Sequence, residues 1–395
     1  MLILQKSLKS IQIVLNEFFE KISSKMKKFI TVSASAFTKA RSKLLHTAFI
    51  ELNEKCIVAS MYEDGDYKTF KGFRLLAIDS STIILPDEED IRNEFGVITV
   101  TNQYEKVYKY TAARASVCYD VLNKIGIDSI LTKSTDYEGE LAIKHLEHCN
   151  TNDLLIFDRG YPSYFLLATL ISKNINFVIR CSRSSFNAAK EMFECEKPES
   201  ITVPLKPNNA KFIREKGLPS EIKVRFIRVE LDNGEIEVLA TSLLDNKKYP
   251  NKIFKEIYNR RWKIETFFDV IKNRLNLENF TGKTVESVKQ DFFSTILITG
   301  LETILTDDAQ QILDEKSTKN QQPQIVNKAI SFNVIKNNVF DLFYQELDDD
   351  VLLEKLTKLF LTKTTSVKKK KSRKRIKTKL RRTIKYYKYK RKICF

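Results

Sequence analysis

The 395-residue chain has one tryptophan, three histidines and six cysteines. Each shortage excludes something. Cys56, Cys118, Cys149, Cys181, Cys195 and Cys394 follow no framework spacing, which fits a reducing cytosol and not a disulfide scaffold. Three histidines and no Gly-x-Ser-x-Gly elbow leave a Ser-His-Asp hydrolase without its parts. His145, His148 and Cys149 lie close together, but no partner pair at zinc spacing exists elsewhere, so a zinc site is not expected. No Gly-rich phosphate loop of the Walker type appears, so no nucleotide cofactor is expected. No run reaches about 18 uncharged apolar residues, the length of a membrane span. Met1 to Lys6 lacks the basic-then-apolar order of a secretory signal. The expected location is the cytoplasm, with no membrane partner. No internal repeat is visible.

Hydrophobic residues make up 43% of the chain, enough for a large core in two or three lobes. The formal net charge is +17. Residues 368–392 alone carry 16 Lys/Arg and no acid, so the remainder is nearly neutral. Such a density of like charge resists packing and is expected to be disordered when free. The tail also holds Tyr386, Tyr387 and Tyr389, side chains that stack on exposed bases. Nucleic-acid binding and a solubilising extension both remain open for it.

Residues 1–66 read as helices with charged faces. Ser33 or Ser35 can cap a short basic helix carrying Lys39, Arg41 and Lys43. From residue 72 the period becomes that of strands. Phe73–Leu85 is apolar and interrupted by Asp79. Thr111–Tyr119 and Ile127–Leu131 follow, joined by a turn at Asn123–Gly126. Residues 138–148 read as helix. Leu154–Phe157 is a short buried strand that ends at Asp158, and Gly160 and Pro162 separate it from an apolar helix running to Ile171. Asn176–Arg180 is a further strand. Between 183 and 250 three more strands read out, two of them joined at Asp232-Asn-Gly234, a hairpin turn. Beyond 286 the pattern is helical to about 362.

The densest chemistry lies between Tyr258 and Lys272. Tyr258, Arg261, Glu265 and Lys272 fall at i, i+3, i+7 and i+14, within one helical stripe roughly 60° wide. Ile257, Ile264, Phe268, Ile271 and Leu275 form an apolar stripe beside it. A carboxylate flanked by a phenol and two cations suits chemistry on a phosphate backbone: the acid can hold a metal and the cations a substrate. Asp79 within an apolar strand and Asp158 at the end of one are costly unless paired or metal-bound. With Glu265 they make a hard-oxygen set for Mg²⁺ or Mn²⁺. Two such ions about 4 Å apart would activate a nucleophile on one side of a phosphorus and steady the leaving oxygen on the other. The acidic runs Asp87–Asp90 and Asp348–Asp350 are expected to be solvated loops. Trp262 is expected to pack in the core or brace its helix, with stacking on a flipped base as the other reading.

The spacing Tyr-x2-Arg-x3-Glu-x6-Lys, the words Arg261-Trp-Lys-Ile-Glu265 and Phe280-Thr-Gly-Lys283, and the upstream motifs Leu76-Ala-Ile-Asp79-Ser-Ser and Phe157-Asp-Arg-Gly-Tyr161 resemble one family. It is the DDE transposases of bacterial insertion sequences, in the hairpin-forming, insertion-sequence-four-like group with a ribonuclease H-like core. The likeness runs from about residue 30 to 300. It implies an α/β fold: a ribonuclease H-like mixed sheet flanked by helices, with a β-rich insertion and helical N- and C-terminal regions. The corresponding segments are a helical DNA-binding region (1–66), the core's first part (67–182), the insertion (183–250), the core's second part with the Glu helix (251–300), a helical region (301–366) and the basic tail (367–395).

The resemblance further implies that Asp79, Asp158 and Glu265 are catalytic and hold Mg²⁺ or Mn²⁺. Tyr258, Arg261, Lys272 and Arg159 would grip phosphates near a transposon end. It also implies a DNA role for the Lys39/Arg41 helix, whose bland alternative is a surface helix with its basic side in water. Partners would be inverted-repeat ends and target DNA, held by at least a homodimer that contacts through the helices after 286, in association with the nucleoid. Two other readings remain: a ribonuclease H-like nuclease without strand transfer, and a DNA-binding relative that has lost catalysis.

Overall fold

The computed structural model describes the whole chain except residues 6–8, 102–106, 195–198, 318–321, 344–347 and 368–395. The basic tail, with its tyrosines, therefore lies outside the described residues. A mixed sheet forms the centre. Its strands are β1 (Arg74–Ile84), β2 (Val97–Thr101), β3 (Val107–Asp120), β4 (Ile125–Lys133), β5 (Asp153–Phe157), β6 (Asn176–Cys181), β7 (Ser200–Leu205), β8 (Ile222–Glu230) and β9 (Ile236–Thr241). The order β4-β3-β1-β5-β6 begins with an antiparallel meander and continues with two parallel additions. This is the mixed ribonuclease H-like arrangement that the strand pattern led us to expect.

Two features extend it. β2 pairs with the first part of β3, giving that strand a longer reach than the apolar pattern marked. The strands of the 183–250 segment continue the central sheet: β9 pairs antiparallel with β6, then β8 and β7 follow.

β1 and β5 are tied at their starts. Arg74 forks onto Asp153 at 2.6 and 2.8 Å, a paired charge in a buried place. Their parallel pairing runs from Arg74↔Asp153 to Ala77↔Ile156 and then ceases. Burial along β1 lapses only over Asp79–Thr82, where the neighbouring strand has ended. The interruption of an apolar run by polar residues thus marks a split in the sheet.

Helix Val285–Leu305 is capped by Thr284 and Ser287 and is enclosed along most of its length. The expected dimer contact after residue 286 therefore begins with a helix that belongs to the core. Gly300 allows the close approach of Ile57, whose Cγ2 would lie 2.5 Å from an added Cβ. The N-terminal helices dock on this same helix. Arg41 ends helix Ala34–Arg41, which Ser33 caps. Its guanidinium is buried against Asp291 at 3.0 Å, Gln290 at 2.6 Å, Thr281 at 2.6 Å and the Ser287 carbonyl. No described helix is long and apolar enough to cross a membrane.

Candidate active site

Asp79 and Asp158 each stand two residues beyond the last paired position of β1 and β5. The register that aligns Ala77 with Ile156 therefore brings both carboxylates to the mouth of the split. The Asp79 carboxyl is pushed up to about 6, first by burial and also by the Asp158 charge. The Ser80 backbone N–H, 2.9 Å away, and the Arg261 guanidinium, 3.7 Å away, pull against that rise.

Glu265 comes from helix Trp262–Asp269, which packs on β1. The single helix expected over 258–272 is in fact two. The first ends at Asn259. At Arg260 and Arg261 the bonds tighten to i→i−3, reaching Ile257 and Tyr258. After Asp269 the turn widens into a π segment, Val270–Arg274, closed by Leu275 N–H onto the Val270 carbonyl. Such widened turns recur at functional sites.

All four signature side chains nevertheless end at the split. The buried Tyr258 phenol donates to Asp158 at 3.0 Å, and burial raises its pKa. Arg261, 3% exposed, bonds Glu265 at 2.5 Å and faces Asp79. The Lys272 ammonium donates to Ser81 Oγ at 2.7 Å and to the Thr82 carbonyl at 2.6 Å, on the free margin of β1.

Several expectations require correction. Arg41 was expected at DNA, but its guanidinium is consumed inside the protein by Asp291 and its neighbours. Lys39 and Arg159 are exposed. Arg261 and Lys272 are engaged by protein groups in this state. Trp262 is 44% exposed, because it follows the tight turn on the solvent side, and the Arg261 guanidinium lies 5.6 Å from its ring centre. The run Asp87–Asp90 opens helix Glu89–Phe95, with Asp87 bonded to Thr111 and Arg92. Asp348 caps helix Asp349–Phe360.

His145 bonds Ser116 at 2.9 Å and Asp128 at 2.6 Å. This is a Ser-His-Asp line, but Ser116 and His145 are wholly buried, so no substrate reaches the serine.

The oxygen donors suit a hard divalent cation in kind. Burial raises the Asp79 carboxyl, and a cation bound beside it would offset that cost. Among the described residues no three His, Cys, Asp or Glu side chains form one cage. Arg261 supplies the local positive charge between Asp79 and Glu265.

The site is thus a split between two parallel strands of a mixed sheet, with Asp79 and Asp158 at its mouth and the signature helix packed on β1. The family described as Transposase DDE domain matches residues 71–301. The chain belongs to that family. Transposase InsG for insertion sequence element IS4, from Escherichia coli (strain K12), is 27% identical over 164 residues. That match covers 40% of this chain and 36% of the relative's length. A piggyBac transposase, in a cryo-EM structure of its synaptic complex with hairpin DNA, is 11% identical with a TM-score of 0.42, over 72% of this chain and 57% of that one.

Proposed function

We propose that the chain cuts DNA at the inverted-repeat ends of an insertion sequence and transfers the freed strands to a target, with Asp79, Asp158 and Glu265 as its acidic residues. One observation carries the reading. Side chains from three separate stretches, strand β1, the end of β5 and the signature helix, are joined at one place: Tyr258 to Asp158, Arg261 to Glu265 and Asp79, and Lys272 to β1.

Asp79, Asp158 and Glu265 would hold Mg²⁺ or Mn²⁺, which when bound supplies Lewis acidity toward the phosphorus. The protein's own contribution is placement. Tyr258 fixes the Asp158 carboxylate. Arg261 is a fork whose geometry matches two phosphate oxygens as well as it now matches carboxylates. Lys272 holds the free margin of β1 in place. Arg159 and Lys39, both exposed, supply phosphate contacts. Two ends must be held together, which calls for two copies of the chain.

The test uses a supercoiled plasmid carrying the repeats that flank the coding sequence. Cleavage at the repeat ends should require Mg²⁺, stop in EDTA and be lost in Asp158→Asn. Nicking that ignores the repeats and yields no joined product would favour a hydrolytic nuclease. Cleavage that survives Asp158→Asn would remove the site from the account.

A further inference from the structure

The row of residues that holds Asp79 and Asp158 continues across the sheet. Ala77 is level with Ile156 in the parallel register of β1 and β5, and Ile156 is level with Val178 in that of β5 and β6. Residues aligned on neighbouring strands project to the same face. Two residues further on, each strand therefore presents a charged side chain on one face: Asp79, Asp158 and Arg180. It is the face of the signature helix, whose Arg261 meets Asp79 and whose Tyr258 meets Asp158. Strands lie about 5 Å apart, so Arg180 stands one spacing beyond Asp158, on the side away from Asp79.

The neighbouring strand β9 supplies its partner. Arg180 pairs with Leu239, and Glu237 lies two residues from Leu239 on the same face. The Arg180 guanidinium reaches the Glu237 carboxylate at 3.1 Å. The Arg180 side chain is 30% exposed and that of Glu237 10%. Burial raises the Glu237 carboxyl, and the Arg180 charge beside it pulls the other way.

Two cations thus flank the split. On the β1 side Lys272 is bonded to Ser81 Oγ and the Thr82 carbonyl, both neutral. On the β6 side Arg180 is held by a carboxylate. A guanidinium fork takes carboxylate and phosphate oxygens in the same geometry, so Glu237 fills the place that a phosphate would take. The bland alternative is a diagonal cross-strand ion pair that only braces β6 on β9. Its position sets this pair apart: Arg180 is level with Asp158, and a strand laid across the split would meet a cation at each end.

We infer that Arg180 is a phosphate-binding residue on the Asp158 side of the split, and that Glu237 holds its guanidinium in the phosphate's place until DNA displaces it. This rests on the split acting on DNA, as proposed above.

The test is binding of the full chain to a duplex carrying the flanking repeat end, followed by fluorescence anisotropy in EDTA over a range of salt. Glu237→Gln should bind about 2–5-fold more tightly than wild type, the worth of a half-exposed ion pair. In the Arg180→Gln background the same change should bring no gain, because no guanidinium remains to be released. Arg180→Gln should also lower the slope of log affinity against log salt by about 0.9, one phosphate's share. Should Arg180→Gln fail to fold with Glu237 left unmatched, the double variant, which lacks both charges, should show the same drop in slope relative to Glu237→Gln. If wild type binds and neither comparison changes the slope, the inference falls and the proposed function stands. An equal gain from Glu237→Gln with and without Arg180 would make Glu237 a general repulsive charge and would also overturn the inference. If wild type binds the repeat end no better than a scrambled duplex, the proposed function falls and the inference with it.

Discussion

Replacing Asp79 by Asn should make the metal-free protein more stable. The Asp79 carboxyl is raised from 3.8 to about 6, chiefly by burial. Its anion is therefore less favourable in the fold than in the unfolded chain, at about 1.4 kcal/mol per tenfold, or about 3 kcal/mol in all. The sign follows from proton binding. The folded form holds the proton more tightly, so acid favours folding, and the penalty is complete only above pH 6. It fades as pH falls through 6 and is gone below the ordinary value of 3.8. Asn removes the charge, keeps an oxygen for the Ser80 N–H and leaves Arg261 its bond to Glu265. Urea unfolding in EDTA should show Asp79→Asn more stable by about 3 kcal/mol at pH 8, with the gap closing toward pH 4. Adding Mg²⁺ should narrow the gap at pH 8 by stabilising wild type alone. A variant no more stable than wild type at pH 8, or a gap indifferent to pH, would refute the reasoning.

Other outcomes follow from the same structure. Arg41→Met should cost about 3–5 kcal/mol in urea unfolding, because it strands the buried Asp291; a loss of DNA affinity at unchanged stability would contradict the buried clamp. Gly300→Ala should lower stability by about 1–2 kcal/mol despite alanine's better helix propensity, since Ile57 blocks the new Cβ; a neutral or stabilising effect would show that Ile57 gives way. Lys39→Gln should reduce the slope of log affinity against log salt by about 0.9 if Lys39 meets one phosphate, and removing residues 368–395 should reduce it by about 0.9 for every phosphate the tail neutralises; unchanged slopes would take either element off the DNA.

The sequence was most legible where period and polarity conflicted. Asp79 inside an apolar strand and Asp158 at the end of another marked the split between β1 and β5. The face shared by Tyr258, Arg261, Glu265 and Lys272 survived even though the helix is broken at Arg260–Arg261 and widened after Asp269. Those irregularities carry no proline or glycine, so nothing in the pattern announced them. Arg41 read as a DNA contact or a solvated cation because its partner lies 250 residues away, and such a pairing has no local signature. The enclosure of helix Val285–Leu305 was hidden for a related reason. Its buried Gln290, Asp291 and Glu302 look like surface residues until their partners on distant segments are known. Tyr161 stood inside a motif that drew attention to Asp158 and Arg159 and not to its own buried phenol. Glu138 opened a helix that the pattern marked, but only the fold brings it to Arg114.

Glu265, with Asp79 and Asp158, is proposed to perform cutting and joining at repeat ends. The most direct measurement follows excision and strand transfer from a plasmid carrying the flanking repeats, in Mg²⁺, for wild type and Glu265→Gln, with repeat binding measured on both. Wild type should give excised ends and joined products, and Glu265→Gln neither, while repeat binding is largely retained. Excision by Glu265→Gln at the wild-type rate would contradict it.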